Sequence, residues 1–482
     1  MSDGGGLGAR LRTIFDRLTS ASAGERLAIS VSALVLSIVV GAVLIYTAGL
    51  IAECPRPAFA ASCYDPLTVY DELFLKSFGN LAADPLNGKA ATTLGETTIL
   101  VFTGLSVAVA FKAGVFNIGT QGQMVIGGLA TAVVTYTASQ AVSGVVGTLV
   151  LLPLGVLTGA VFGGLYAAIP GALKAYADAN EVITTIMLNF VATNLALFLV
   201  QAEFKDPESF ANQTRTLPAY AQFPTVVFPD TADFSLVALA LAVTVAVAAA
   251  YLLAATAFGY DVRTSGLQPP AAEYGGVDAS RTVVAAMTLS GALGGVGGAV
   301  YVMMKLGNFQ TNVPAYGFDG ITVTILAGNN PIGVIAAGLL FGVLKSGSIN
   351  VSVATDVPPE LVGVISGLIV LFVAMPEFFR MIGTRFTASR PGGGEAVATD
   401  GGRVESGSDG RRVESGSDSG RVESGSDRGR VESSDNSGMS LGDGSSGDRE
   451  SDGSDDRETA ASQTATASDP PSTAESSGGD PA

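Results

Sequence analysis

Histidine and tryptophan are absent from the 482 residues, cysteine occurs twice, and lysine only seven times. Without histidine no Ser-His-Asp triad can be assembled. Two cysteines and no histidine leave no structural zinc site, so no metal is expected. A phosphate-binding loop is also missing. The nearest approach, Gly338 to Ser346, carries Leu344 where a glycine must precede Lys345, and it lies in an apolar run. No ladder of buried acids runs through the apolar segments; Glu96 is the clearest acidic residue inside one. No catalytic residue and no cofactor site is therefore expected on this chain. If it pumps, a partner supplies the energy. Cys54 and Cys63 fall together in one polar loop, as a short disulfide or as two free thiols.

What is present is apolar. The hydrophobic fraction is 48%, and it gathers into runs of about 20 residues, the length that crosses a hydrocarbon core as helix. In lipid such runs must satisfy their own backbone hydrogen bonds, so the expected fold is all-α, a polytopic transmembrane bundle of about eight to ten spans. The runs lie at roughly 27–52, 92–111, 114–137, 145–170, 181–201, 234–258, 282–305, 318–329, 332–347 and 361–379. The eighth and ninth are short and meet at Asn329-Asn330-Pro331, so they are expected as two short crossings or as one broken, re-entrant element. The first run starts late and is long enough for a retained helix, not a cleaved signal.

Arg10, Arg12, Arg17 and Arg26 precede the first span, and Arg380, Arg385 and Arg390 follow the last. The positive-inside rule then places both termini in the cytoplasm of a plasma-membrane protein. Residues 53–91 and 202–233 become outer loops, and 259–281 the largest inner one. The sequons at Asn212 and Asn350 fall on expected outer loops. Three regions result: a cytoplasmic N-terminus (1–26), a transmembrane domain (27–385) and a tail (386–482). The net charge is −17, and from Pro391 onward 20 acidic residues stand against 8 arginines. The tail repeats Arg-Val-Glu-Ser from Arg403, Arg412, Arg421 and Arg430, with almost no large apolar residue, so it is expected to be disordered. Acidic excess with little lysine looks like a protein of a high-salt cytoplasm.

Four stretches stand out. In Phe111 to Met124, polar Asn117, Thr120, Gln121 and Gln123 interrupt an apolar region with almost no loop. Such groups serve either as interhelical hydrogen-bonding glue or as the lining of a polar solute path. Asn180 to Asn189 starts a helix with Glu181 as a favourable N-terminal charge and places Asn189 two turns in. Asn189, Thr193 and Asn194 project at mixed angles, so not all face one path. In the inner loop, Ala271 to Tyr274 follow Pro270 and precede Gly275-Gly276, a short helix with a C-cap signal. This is a docking element or an ordinary connection. Gly291, Gly295 and Ala299, with Gly294 and Gly298 beside them, make a small-residue stripe for close helix packing.

Gly114 to Gln123, Asn180 to Asn189, Arg263 to Val277, Ser290 to Gly298, and Gly317 to Gly328 with Pro331-Ile332-Gly333 occur in one order over about 90–380. Together they resemble the permease family of nucleoside and simple-sugar ATP-binding-cassette (ABC) importers, within the group that includes branched-chain amino acid and ribose permeases. The early first span and long first outer loop are similar to the larger of two paired permeases. The resemblance implies a second permease subunit, an ABC ATPase subunit that uses the ATP, and an extracytoplasmic solute-binding lipoprotein. Membrane lipid is the remaining partner; nucleic acid is not one. It implies that Arg263, Ala271, Ala272, Glu273, Tyr274 and Gly276 belong to the loop that contacts the ATPase. Position and polarity make Asn117, Thr120, Gln121, Gln123 and Asn189 the expected substrate path. Relatives often carry an acidic residue where Thr120-Gln121 stand here, so the substrate does not carry over residue by residue. The expected function is inward movement of nucleosides or a related sugar-containing solute, without covalent chemistry. The alternative is a stand-alone secondary transporter or channel, which would show inverted repeats and paired broken helices. The sequence offers one break, near Pro331. A membrane enzyme is disfavoured by the missing histidine and the lack of a carboxylate pair within the spans.

Overall fold

A computed structural model of the chain describes residues 23–52, 62–229 and 233–372. The expected acidic tail, most of the N-terminal segment, Cys54 and the end of the last span lie outside the described residues. Cys63 is disulfide-bonded. Among the described residues there is no strand beyond two isolated bridges, Lys205 with Thr214 and Gln213 with Gln310. The fold is all-α.

The helices in order are α1 (Ala23–Ile51), α2 (Pro66–Tyr70), α3 (Gly88–Lys112), α4 (Thr120–Ser139), α5 (Gly144–Ala177), α6 (Glu181–Leu199), α7 (Leu236–Ala255), α8 (Ala257–Leu267), α9 (Pro269–Tyr274), α10 (Ala279–Val300), α11 (Tyr316–Leu326), α12 (Pro331–Ala354) and α13 (Pro359–Phe372). Six of the described helices, counting wide π-type extensions of α6 to Phe204 and α10 to Leu306, are long and apolar enough to cross a membrane: α3, α5, α6, α7, α10 and α12. Two shorter apolar helices, Val35–Ile51 and Pro359–Phe372, accompany them. The chain is a multi-pass membrane protein.

Helix α3 is the centre. It starts at Asn87, whose side chain accepts from the Ala90 amide at 3.0 Å and caps the first turn. Its Thr93, Thr97, Thr103 and Ser106 are fully or nearly buried. Each hydroxyl finds a carbonyl or another hydroxyl, as at Thr93 to Ser77 O, 2.6 Å. A polar helix can sit in the middle because α10, α11 and α12 surround it. Helices α5, α6 and α7 are the reverse, with most of each apolar surface uncovered, including Leu149, Leu157, Leu165, Phe190 and Phe198. In water such a face would be an aggregation site; in a bilayer it faces acyl chains.

The small-residue stripe of α10 packs against α5. Gly291 and Gly295 meet Gly163 and Gly159, and a Cβ at Gly295 would overlap the Gly159 carbonyl. Backbones touch here because no side chain separates them. Helix α5 runs through Pro153 and Pro170 for 34 residues. That is roughly 50 Å, more than a hydrocarbon core needs, so the span expected to end at 170 continues beyond it.

The loops gather at two ends. At one, Tyr220 donates to Ser139 O (3.0 Å) and the Thr214 amide to Phe309 O (2.9 Å). At the other, Gly266 abuts Lys112 and Gly114, and Lys174 pairs with Glu181 at 3.4 Å.

Three expectations change. Helix α4 begins at Thr120, not 114, because residues 113–119 are non-helical. Helix α12 has 24 residues and spans alone. The apolar run stopped at 347 because Ser348, Asn350 and Ser352 follow it. Asn350 lies within α12, its amide 3.4 Å from Lys76 O, and not on a loop. The turn at Asn329-Asn330-Pro331 is present, with Asn329 at φ 58 and Asn330 capping α12.

Candidate functional site

Two non-helical stretches enter the bundle: residues 113–119 before α4 and 307–315 before the half-length α11. Backbone of this kind survives at membrane depth only when buried in protein or lining a cavity. The second stretch is a further break that the sequence did not signal, beside the expected one at Asn329-Asn330-Pro331 that separates α11 from α12.

The polar residues expected as a path hold these stretches. Asn117 and Gln123 exchange a pair of amide hydrogen bonds, both 3.0 Å. Asn117 also donates to Ser290 Oγ at 2.8 Å and accepts from the Gly119 amide at 3.0 Å. Ser290 donates to Ser106 O, and Ser106 meets Thr120 at 3.1 Å. Gln121 spans the two breaks: it accepts from the Gly317 amide (2.8 Å) and donates to Pro314 O (3.0 Å). Asn189 accepts from the Gly122 amide (2.7 Å) and donates to Ile118 O (2.9 Å). The structure thus joins Asn117, Thr120 and Gln123 in one network and sets Gln121 and Asn189 at its edges. Their polar groups meet protein, and none of the five walls the cavity described next.

That cavity, about 640 Å³, lies between α3, α11, α12 and α13. Its size suits a small organic solute. Glu96, Lys305, Tyr316, Asp319, Lys345 and Ser366 are among its walls. Lys305 pairs with Glu96 and donates to the Tyr316 hydroxyl at 3.1 Å. Lys345 pairs with Asp319 at 3.0 Å and stands 4.3 Å from the centre of the Tyr316 ring. Tyr301 tilts against the same ring, centroids 5.6 Å apart. Tyr316 is therefore fixed at the centre of two lysine–carboxylate pairs, and the four charges cancel. Ionisable groups inside a membrane bundle pair with one another, as these do around an open volume. Sequence reasoning found Glu96 alone. The available signal was that two of only seven lysines, Lys305 and Lys345, fall within apolar runs.

At the end where Gly266 abuts Gly114, α9 forms as the proline and glycine signals require, capped at Gly275 with Gly276 at φ 86. Ala272 is buried and anchors it, while Ala271, Glu273, Tyr274 and Gly276 are exposed, Tyr274 at 96%. Arg263 turns back to donate to Ala254 O at 3.3 Å, stitching α8 to the end of α7.

The profile of the branched-chain amino acid transport system permease component matches residues 90–374. The nucleoside ABC transporter permease protein NupB of Lactococcus lactis is 34% identical over 319 residues, 65% of this chain and 84% of that protein. The guanosine ABC transporter permease protein NupP of Bacillus subtilis is 33% identical over 299 residues, 60% of this chain and 82% of its own length. The glucose ABC transporter permease protein TsgB13 of Haloferax volcanii is 31% identical over 360 residues, 72% and 90% of the two chains. No solved structure matches. The matched region contains both non-helical stretches, the cavity and the α8–α9 loop, and the chain belongs to this family of membrane permease components: it is a transport subunit, not an enzyme.

Proposed function

We propose that this chain is the permease subunit of an ABC importer that carries nucleosides, or a related sugar-containing solute, through the cavity around Tyr316. The observation that carries this reading is the charge-balanced cavity inside the matched permease region. Two relatives named for nucleosides or guanosine and one named for glucose support a solute with sugar hydroxyls. In this reading Asn117, Thr120, Gln121, Gln123 and Asn189 border the path by holding the broken stretches beside it. The partners are an ABC ATPase, a second permease and an extracytoplasmic solute-binding lipoprotein. The α8–α9 end faces the cytoplasm with both termini, and Tyr274 meets the ATPase. ATP binding by that partner closes the paired permeases and switches access; this chain binds no cofactor.

The non-helical stretches at 113–119 and 307–315 together supply the pair of breaks that a stand-alone transporter would also show. They therefore do not separate the two readings, and the family does. Co-purification from native membranes through a tag on this chain, followed by ATP hydrolysis with and without nucleoside, tests the proposal. An associated ATPase stimulated by solute is expected. The chain isolated alone, with gradient-driven uptake in vesicles and no ATP dependence, would overturn it.

A further inference from the structure

Two buried side-chain oxygens in the walls of the cavity have no hydrogen-bond partner. Glu96 is 2% exposed; Lys305 binds its Oε1 and the Tyr316 hydroxyl stands beside its carboxylate, yet Oε2 has no hydrogen bond. On α13, Ser366 Oγ is likewise buried and unbonded. Both residues wall the same volume. A buried carboxylate oxygen without a donor is costly, so a state in which a donor reaches it is favoured over this one. Gly363 and Gly367 lie on either side of Ser366, and a Cβ at either would meet nothing within 4 Å. That wall is smooth and leaves room beside the serine.

The occupant's chemistry follows from what the walls already use. Both lysines are engaged, Lys305 by Glu96 and Tyr316, Lys345 by Asp319 and the Tyr316 ring. What the walls still offer is an acceptor with negative character, Glu96 Oε2, and hydroxyls, the buried one of Ser366 with those of Thr322 and Ser348. Resting on the importer reading above, we infer that Glu96 Oε2 and Ser366 form a solute-recognition site within the permease. Glu96 accepts a hydrogen bond from a hydroxyl of an uncharged, polyhydroxylated solute, and Ser366 makes a second contact. Such a site rejects a phosphorylated form of the same solute, because the phosphate would face the free carboxylate oxygen with no unpaired cation to meet it. It also rejects an analogue lacking the hydroxyl, which leaves the acceptor unpaired.

The test is ATP-dependent uptake by the complete reconstituted transporter in proteoliposomes. The probes are radiolabelled guanosine, its 2′-deoxy and 3′-deoxy analogues, its monophosphate, and glucose. Wild type is expected to prefer guanosine over one deoxy analogue by about ten- to a hundredfold in kcat/KM, the range of a hydrogen bond to a charged group. Replacing the pair together, Glu96→Leu with Lys305→Met, should bring that ratio close to one. A purely structural pair would lower uptake of both probes by the same factor and keep the ratio, which overturns the inference. Ser366→Ala removes no existing bond and should fold normally while raising the guanosine KM several-fold; an unchanged KM also counts against the site. Monophosphate uptake at the guanosine rate overturns it outright. If wild type shows no ATP-dependent uptake of guanosine or glucose, the importer reading falls, and the inference with it.

Discussion

Alanine in place of Gly295 tests the bundle where its geometry is least forgiving. The added Cβ would overlap the Gly159 carbonyl oxygen and stand 2.8 Å from its carbon and 2.9 Å from Gly163 Cα. Real Cβ atoms essentially never approach closer than 3.0 Å, and every obstacle here is backbone, so no side chain can swing aside. Helices α5 and α10 must part by about 1 Å, which forfeits a quarter to a half of the dispersion energy along the seam. Overpacking of this kind costs about 3 kcal/mol, the upper end of the usual range. For a domain of this size that lowers the melting midpoint by about 5 °C or more. The assay is thermal unfolding of the purified chain in detergent, read by tyrosine absorbance or a thiol-independent aggregation signal. Gly88→Ala, at a helix start with nothing within 4 Å, is the control and should melt at or slightly above the wild-type midpoint. A Gly295→Ala variant melting within a degree of that control would refute the backbone-on-backbone seam.

Asn117→Ala strips partners from Gln123, Ser290 and the Gly119 amide at once, so a loss of about 3 kcal/mol is expected, against little for Asn194→Ala, whose amide reaches only its own helix. The same melting assay compares them. Asp65 caps α2, and its carboxyl is held below the usual 3.8, first by the Thr68 hydroxyl and then by the Leu67 and Thr68 amides, against the opposing effect of burial. Because the folded value is lowered, the stabilisation is complete above the usual carboxylate value and disappears as pH falls through the lowered one. Amide exchange over residues 66–70 should therefore accelerate between pH 6 and pH 3 in the wild type. In Asp65→Ala, already about 1 kcal/mol weaker at the cap, exchange corrected for intrinsic rates should be flat. Tyr274→Ala, at a 96% exposed position, should leave the melting point unchanged and lower ATP-dependent uptake about tenfold, as loss of an aromatic interface anchor does. Unimpaired uptake would remove Tyr274 from the proposed ATPase contact.

The parts of this fold legible in the sequence are those fixed by near neighbours. Gly291 and Gly295 announce a close helix contact through their spacing, and Pro269 to Gly276 announces a short helix and its stop. Asn117, Thr120 and Gln123 are legible as buried polar groups inside an apolar region. Their partner Ser290 is not, because it lies 173 positions from Asn117 and only the fold brings it there. The cavity was hidden for the same reason. Glu96, Lys305, Asp319 and Lys345 read singly as stray charges near the ends of spans. The expected ninth span stopped at 347, where Ser348, Asn350 and Ser352 thin out the apolar residues, whereas α12 runs on to Ala354 with Asp319 pairing Lys345 inside it.

The central position of α3 sets a schedule for making the protein. Glu96 and its counter-charge Lys305 are 209 residues apart. At ribosomal speeds of about 5–20 residues per second, roughly 10–40 seconds pass between the two emerging. Throughout that interval a helix carrying a carboxylate and several hydroxyls waits without α10, α11 or α12, in the surroundings least hospitable to such groups. A helix designed only for insertion would not be written this way. Its polar groups delay stable assembly of the permease until the second half of the chain has arrived.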